Sequence, residues 1–155
     1  MVSLGVCHFG VGALRFPPKG ERINQHTYLD VLANTYKVDC QTFYGINGDY
    51  IFMQDGAGPH RAKAVTEYLS ANFPKVWGTG TWPPSSPDLN VLDYNTWGYL
   101  QHQVGIARPT CLDSLKLAIR NAVQSMPLAV VQAAVGNFYA RTCLCVEANG
   151  GQFNT

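Results

Sequence analysis

Charge is scarce in this chain. Only 14% of its 155 residues are Asp, Glu, Lys or Arg, and 11 basic side chains stand against 10 acidic ones, for a net charge of +1. A balance so close to zero excludes a protein that grips nucleic acid by bulk charge and leaves only a local basic patch for that purpose. Long apolar runs are missing too. Nothing reaches about 18 consecutive apolar residues, so no membrane-spanning helix is expected. The opening MVSLGVCHFGVG lacks a basic leader and is broken by Gly and His, which argues against a signal peptide. The 5 Cys include no Cys-x-x-Cys pair. They are expected as free, buried thiols of a reducing compartment. Cys143 and Cys145 would point to different sides of a helix, which suits neither a disulfide nor a metal clip. Repeats and low-complexity tracts are also lacking. What is present is 46% hydrophobic. That suits one domain around one apolar core and rules out long disorder.

The pattern along the chain predicts an α/β or α+β domain with helices gathered at its end. Val2 to Phe9 and Ala13 to Phe16 read as a hairpin around a glycine-containing turn, closed by Pro17-Pro18-Lys19-Gly20. Tyr28, Val31, Leu32 and Tyr36 follow helical spacing over about Gln25 to Tyr36. Tyr50 to Met53 is a continuous apolar run, expected as a strand buried on both faces. A helix is expected from about His60 to Phe73, then a brief strand at Val76-Trp77 and a loop from Gly78 to Asn90. Three more helices are expected, over about Val91 to Val104, Cys111 to Gln124 and Pro127 to Ala148. Pro127 opens the last of them and Gly150-Gly151 stops it.

Two acidic positions stand out by context. Asp55 falls where the expected Tyr50–Met53 strand ends and the chain turns through Gly56-Ala57-Gly58, and ligand groups in open α/β sheets gather at the carboxyl ends of strands. Asp93 lies just inside a helix that follows the proline-stiffened loop WPPSSPDLN. Carboxylates brought together repel unless a cation sits between them, and hard oxygen ligands suit Mg²⁺ or Mn²⁺. Two such ions, roughly 3.5–4 Å apart, would catalyse in-line displacement at phosphorus. A turn-stabilising Asp55 and a helix-terminal Asp93 explain the same spacing without any metal.

The stretches FMQDGAGPHRAKAVTEYL and WPPSSPDLNVLDYNTWG, in that order, resemble the catalytic core of transposases of the mariner superfamily. Weaker likeness, in VSLGVCHFGVG and EANGGQF, extends the resemblance to nearly the whole chain. It implies a ribonuclease H-like α/β fold, with a core over about 1–106 and C-terminal helices over about 109–150. It implies that Asp55 matches the second acid of the metal-binding triad and Asp93 the third, with residues 56–92 between them. The implied cofactor is Mg²⁺ or Mn²⁺, weakly bound. The implied partner is DNA, at transposon ends, with room for a homodimer, no membrane, and the nucleus as compartment. Asp88 matches an acid that the family does not use as a ligand, and helix capping is its expected role. His60 is open to a metal, a base or a structural role.

One departure from the family pattern bears on chemistry. The family's first acid lies on a strand upstream of the hairpin, and here no Asp or Glu precedes Glu21. Asp30, Asp39 and Asp49 are candidates by residue type alone. The expectation is therefore a ribonuclease H-like domain lacking its first strand and the upstream helix-turn-helix region. Such a chain should have little or no activity by itself and marginal stability or a tendency to self-associate. Two other readings compete. An adopted, non-enzymatic DNA- or protein-binding module would bind DNA in a salt-sensitive way that survives loss of either acid. A competent enzyme would nick plasmid DNA in Mn²⁺ and stop when either acid is replaced. Arg15, Lys19, Arg22, Arg61, Lys63 and Lys75 are candidate phosphate contacts, and a solvated surface explains them equally. Trp82 and Trp97 could stack on bases, although loop anchoring and core packing account for them as well. Asn121 and the Cys residues form no convincing Cys-His-Asn arrangement.

Overall fold

The computed structural model describes residues 2–18, 20–151 and 153, so Lys19 lies outside the described residues. Packing divides the chain into two units. The first holds the described residues of Met1–Ser3 and Arg15–Ser85, and the second those of Leu4–Leu14 and Ser86–Thr155. Each has its own apolar cluster, where a single core was expected. The single-core expectation came from total apolar content, which does not say how contacts partition.

In the first unit, Asn24 starts helix α1 (Gln25–Val31) with a capping box. Its Oδ1 accepts from the His26 N–H at 2.8 Å and the Thr27 N–H at 3.2 Å, and Thr27 Oγ1 accepts from the Asn24 N–H at 2.9 Å. The helix does not stop at Tyr36. It passes through a π-turn at Leu32–Tyr36 and continues as α2 (Lys37–Tyr44). A π-turn inserts one residue and rotates the succeeding turns, so the 3.6-residue repeat breaks although the helix goes on. Val38 is exposed beyond the slip. Gly45, at φ 80°, ends α2 in a conformation that a side chain would resist.

Strand β3 (Ile51–Met53) then runs parallel to β4 (Lys75–Trp77), with Ile51 opposite Lys75 and Met53 opposite Trp77. A 3-10 turn at Pro59–Arg61 and helix α3 (Lys63–Asn72) make the crossover. Two expectations change here. Strand β3 is not buried on both faces: Ile51 and Met53 are exposed and Phe52 packs inward. The helix begins at Lys63 because Ala62 is extended, at φ −63° and ψ 138°. Among the described residues, β3 and β4 form a two-stranded sheet. Leu32, Val65 and Leu69 are almost completely buried, with Tyr28 and Phe73 beside them. Each such aliphatic side chain contributes about 1.5–3 kcal/mol.

In the second unit, β1 (Val6–Cys7) pairs antiparallel with β2 (Gly10–Val11) around His8–Phe9. The turn sits earlier than expected and the strands are shorter. Gly10, at φ 148°, takes the residue after the turn. The Pro-rich loop ends in a 3-10 turn at Pro87–Leu89. A π-turn at Leu92–Thr96 leads into α4 (Trp97–Ala107), and α5 (Leu112–Gln124) follows. The last expected helix is two helices, α6 (Leu128–Gly136) and α7 (Phe138–Glu147). Gly136 weakens the helix at the junction, and Asn137 lets it turn. Taken as one stretch of 20 residues, Leu128–Glu147 has the length and mean hydropathy, 1.2, of a membrane-crossing helix by composition alone. Leu4, Leu100, Ala122, Met126 and Val131 form the core, with Trp97 packed against it.

The five cysteines are free, as expected, but none is buried. Cys111 is the N-cap of α5. The Ser114 hydroxyl and backbone N–H groups around its sulfur hold this exposed thiol below its usual pKa. A lowered pKa raises the thiolate fraction at neutral pH. Iodoacetamide is therefore expected to label Cys111 ahead of the other four thiols, with Ser114→Ala slowing it. Peptide mapping after brief labelling would show otherwise if Cys143 reacts first.

Candidate functional site

Strand β3 ends in a turn tied together by four side chains. The Gln54 N–H donates to the Trp77 carbonyl at 3.0 Å, which carries the β3–β4 ladder one residue further. Side chains alternate along a strand, so Gln54 follows Phe52 inward and Asp55 follows Ile51 and Met53 outward. Gln54 is 7% exposed. Its Oε1 accepts from the Tyr28 hydroxyl at 2.7 Å, and its Nε2 donates to the His60 carbonyl at 3.1 Å. Gly78, just past β4, makes room for it: a Cβ there would lie 3.3 Å from the Gln54 side chain.

Asp55 is partly exposed, with 49% of its side chain open to solvent. Its Oδ1 accepts from the Ala57 N–H at 3.0 Å, closing an Asx turn. His60 Nδ1 lies 2.7 Å from the same oxygen and 3.2 Å from the Asp55 carbonyl. Both neighbours are acceptors, so Nδ1 carries a proton. The His60 ring stacks on Tyr28 at 4.2 Å between centroids. Burial pushes the Tyr28 hydroxyl well above its usual pKa, with Tyr36 and Asp55 adding to the effect, so it stays a donor. Among the described residues Asp55 Oδ2 accepts no hydrogen bond. A half-exposed carboxylate with one oxygen engaged and one available suits a hard cation as a single ligand.

Asp93 belongs to the second unit, in the first turn of the π-turn that opens α4. It is exposed, and its N–H donates to the Asn90 carbonyl at 2.9 Å. Asn90 Oδ1 accepts from the Leu92 N–H at 3.1 Å, so capping falls to Asn90. The capping role expected of Asp88 is corrected accordingly. Asp88 contributes its backbone carbonyl instead, which accepts from Arg141 Nε at 2.6 Å. The Arg141 guanidinium also sits over the Tyr94 ring at 4.1 Å, and the Tyr94 hydroxyl donates to the Ala134 carbonyl at 2.7 Å. The loop and the Asp93 turn are thereby held to α6 and α7.

The other acids lie elsewhere. Asp30 pairs with Arg15 at 3.3 Å and accepts from Asn34 at 2.7 Å. Asp49 pairs with Lys75 at 2.8 Å. Asp39 lies in the first turn of α2, and Glu21 in the exposed loop before α1. Among the described residues no three His, Cys, Asp or Glu side chains group closely enough to hold a metal. Arg15, Lys63 and Lys75 are all in ion pairs, Lys63 with Glu67 at 3.7 Å. Trp97 is a core residue. The Trp82 N–H donates to the Gly78 carbonyl at 2.8 Å, which anchors the loop through its backbone. Tyr28 was legible only as one apolar position of a helix, and nothing in the pattern announced its bond to Gln54.

No protein-family profile matches the chain. Two curated proteins do. The chain is 22% identical over 128 residues to the transposable element Tcb2 transposase of Caenorhabditis briggsae, covering 83% of the chain and 45% of that protein. It is 25% identical over 101 residues to the transposable element Tc1 transposase of Caenorhabditis elegans, covering 65% of the chain and 36% of that protein. The chain thus spans less than half the length of these relatives. Among solved structures, the catalytic domain of Mos1 mariner transposase superposes with a TM-score of 0.85 at 22% identity, over 99% of this chain and 75% of that one. A Mos1 paired-end complex with Mn gives the same score over 99% of this chain and 44% of that one. In sequence the chain is thus similar to Tc1-type transposases, and its fold is that of the Mos1 transposase catalytic domain, ribonuclease H-like as expected.

Proposed function

We propose that this chain contributes the catalytic domain of a DNA transposase, with Asp55 and Asp93 as the metal ligands it supplies for cleaving and joining DNA strands. The observation that carries this reading is the lock at the end of β3. It presents a half-exposed carboxylate at a strand's carboxyl end, within the fold of such domains. Mos1 structures have been solved with Mg, with Mn and with transposon ends, which supports a divalent cation and DNA as the ligands here. A bound Mg²⁺ or Mn²⁺ would supply charge stabilisation at phosphorus and a hydroxyl nucleophile at neutral pH. The chain's own residues do the rest. Tyr28, Gln54 and His60 fix the turn, Asp55 offers its carboxylate oxygen, and Asn90 holds the turn on which Asp93 sits.

Among the described residues no three His, Cys, Asp or Glu side chains group closely enough to hold a metal, so these 155 residues alone should have little catalytic power. Mn²⁺ binding to the chain is expected to be weak and to disappear in both Asp55→Asn and Asp93→Asn. Plasmid nicking in Mn²⁺ is expected at background. Binding indifferent to both substitutions would remove the reading. Nicking that either substitution abolishes would overturn the expectation of inactivity.

A further inference from the structure

Resting on that reading of Asp55, we propose that His60 is the positioning residue of the Asp55 carboxylate, holding Oδ1 through its Nδ1–H so that Oδ2 is left for a divalent cation. Three observations converge on it. His60 Nδ1 is 2.7 Å from Oδ1, and the Ala57 N–H donates to the same oxygen at 3.0 Å. Two donors on one oxygen favour cation binding through the other. The ring is fixed as well as placed, because it stacks on Tyr28 at 4.2 Å. The backbone of His60 is held in turn, since its carbonyl accepts from Gln54, whose Oε1 accepts from that same Tyr28. The carboxylate cannot turn without breaking its bonds to His60 and Ala57, and behind them stands the buried Tyr28–Gln54 hydrogen bond. A free Asp at the surface would lose rotamer entropy on binding a cation, and here that loss is already taken in folding. Outer partners of this kind change metal affinity by about 10–100-fold.

The test is free Mn²⁺ counted by electron paramagnetic resonance as the full chain is titrated, compared across Asp55→Asn, His60→Ala, His60→Asn and His60→Gln. An Asn amide sits where Nδ1 sits, while a Gln amide reaches only to the Nε2 position. His60→Asn should therefore bind Mn²⁺ within about threefold of the unsubstituted chain, and His60→Ala and His60→Gln about tenfold more weakly. A ring that merely fills space on Tyr28 predicts the opposite order, with the larger Gln the better substitute. A Nε2 nitrogen that binds the cation directly predicts that Asn fails as badly as Ala. Either result overturns the proposal, as does unchanged affinity in all three His60 variants while Asp55→Asn abolishes binding, which leaves the Asp55 reading standing. Absence of any Asp55-dependent binding in the unsubstituted chain removes both. If His60→Ala fails to fold, the Asn and Gln pair decides alone.

Discussion

Leu32→Ala is expected to destabilise the protein by about 2–5 kcal/mol. Leu32 has no exposed surface and lies among Tyr28, Val65, Leu69 and Phe73. Removing three carbons there forfeits their transfer free energy and leaves a cavity that the surrounding side chains only partly fill. The residue also sits at the first position of the π-turn. Since a domain is stable by only about 5–15 kcal/mol, the variant should be near the edge of folding at ordinary temperature. Urea denaturation followed by circular dichroism measures the shift. Val38→Ala, further along in α2 and 51% exposed, is the control, expected within about 0.5 kcal/mol. Equal effects from the two substitutions would show that the first unit's core is misassigned.

The second large effect is at Tyr28 and Gln54. Tyr28→Phe leaves Gln54 Oε1 buried without its donor, and Gln54→Leu leaves the Tyr28 hydroxyl without its acceptor and the His60 carbonyl without its donor. Each should cost about 1–3 kcal/mol. The double variant should cost less than the sum by about 1 kcal/mol or more, because replacing both partners leaves no orphan between them. Additive costs would mean that the hydrogen bond is not made. The same pair gives a pH signature. Tyr28 titrates near 10.0 in the unfolded chain but is held protonated in the fold. Above that pH the unfolded state binds fewer protons than the folded one, so stability falls as pH rises. Tyr50, pushed up to about 12 mainly by burial, adds to the fall. Thermal melts between neutral pH and about pH 11 should therefore drop more steeply for the unsubstituted chain than for Tyr28→Phe. Parallel curves would contradict the burial of the hydroxyl.

The element order and most helices were legible because their signals are local. Pro127 marks a start, and the Val65, Leu69, Phe73 spacing marks a buried face. Errors arose where the backbone departs from a regular repeat. Both π-turns shift the register of apolar positions, so the first helix was expected to end too early. The junction at Gly136–Asn137 has no proline to announce it. Apolar content gave strand β3 two buried faces, although its outer face is open at Ile51 and Met53.

The sequence by itself determined the chemistry on offer: a Gln-Asp pair at the end of an apolar strand, a second acid after a stiff loop, and a charge balance too even for binding by bulk charge. These are properties of residue type and spacing, which the chain carries folded or not. Only the tertiary structure decided which of Gln54 and Asp55 turns inward, that Tyr28 reaches Gln54 from a helix far away in sequence, and that His60 meets Asp55. Those choices depend on burial and on contacts between residues far apart in sequence, and no local pattern encodes them.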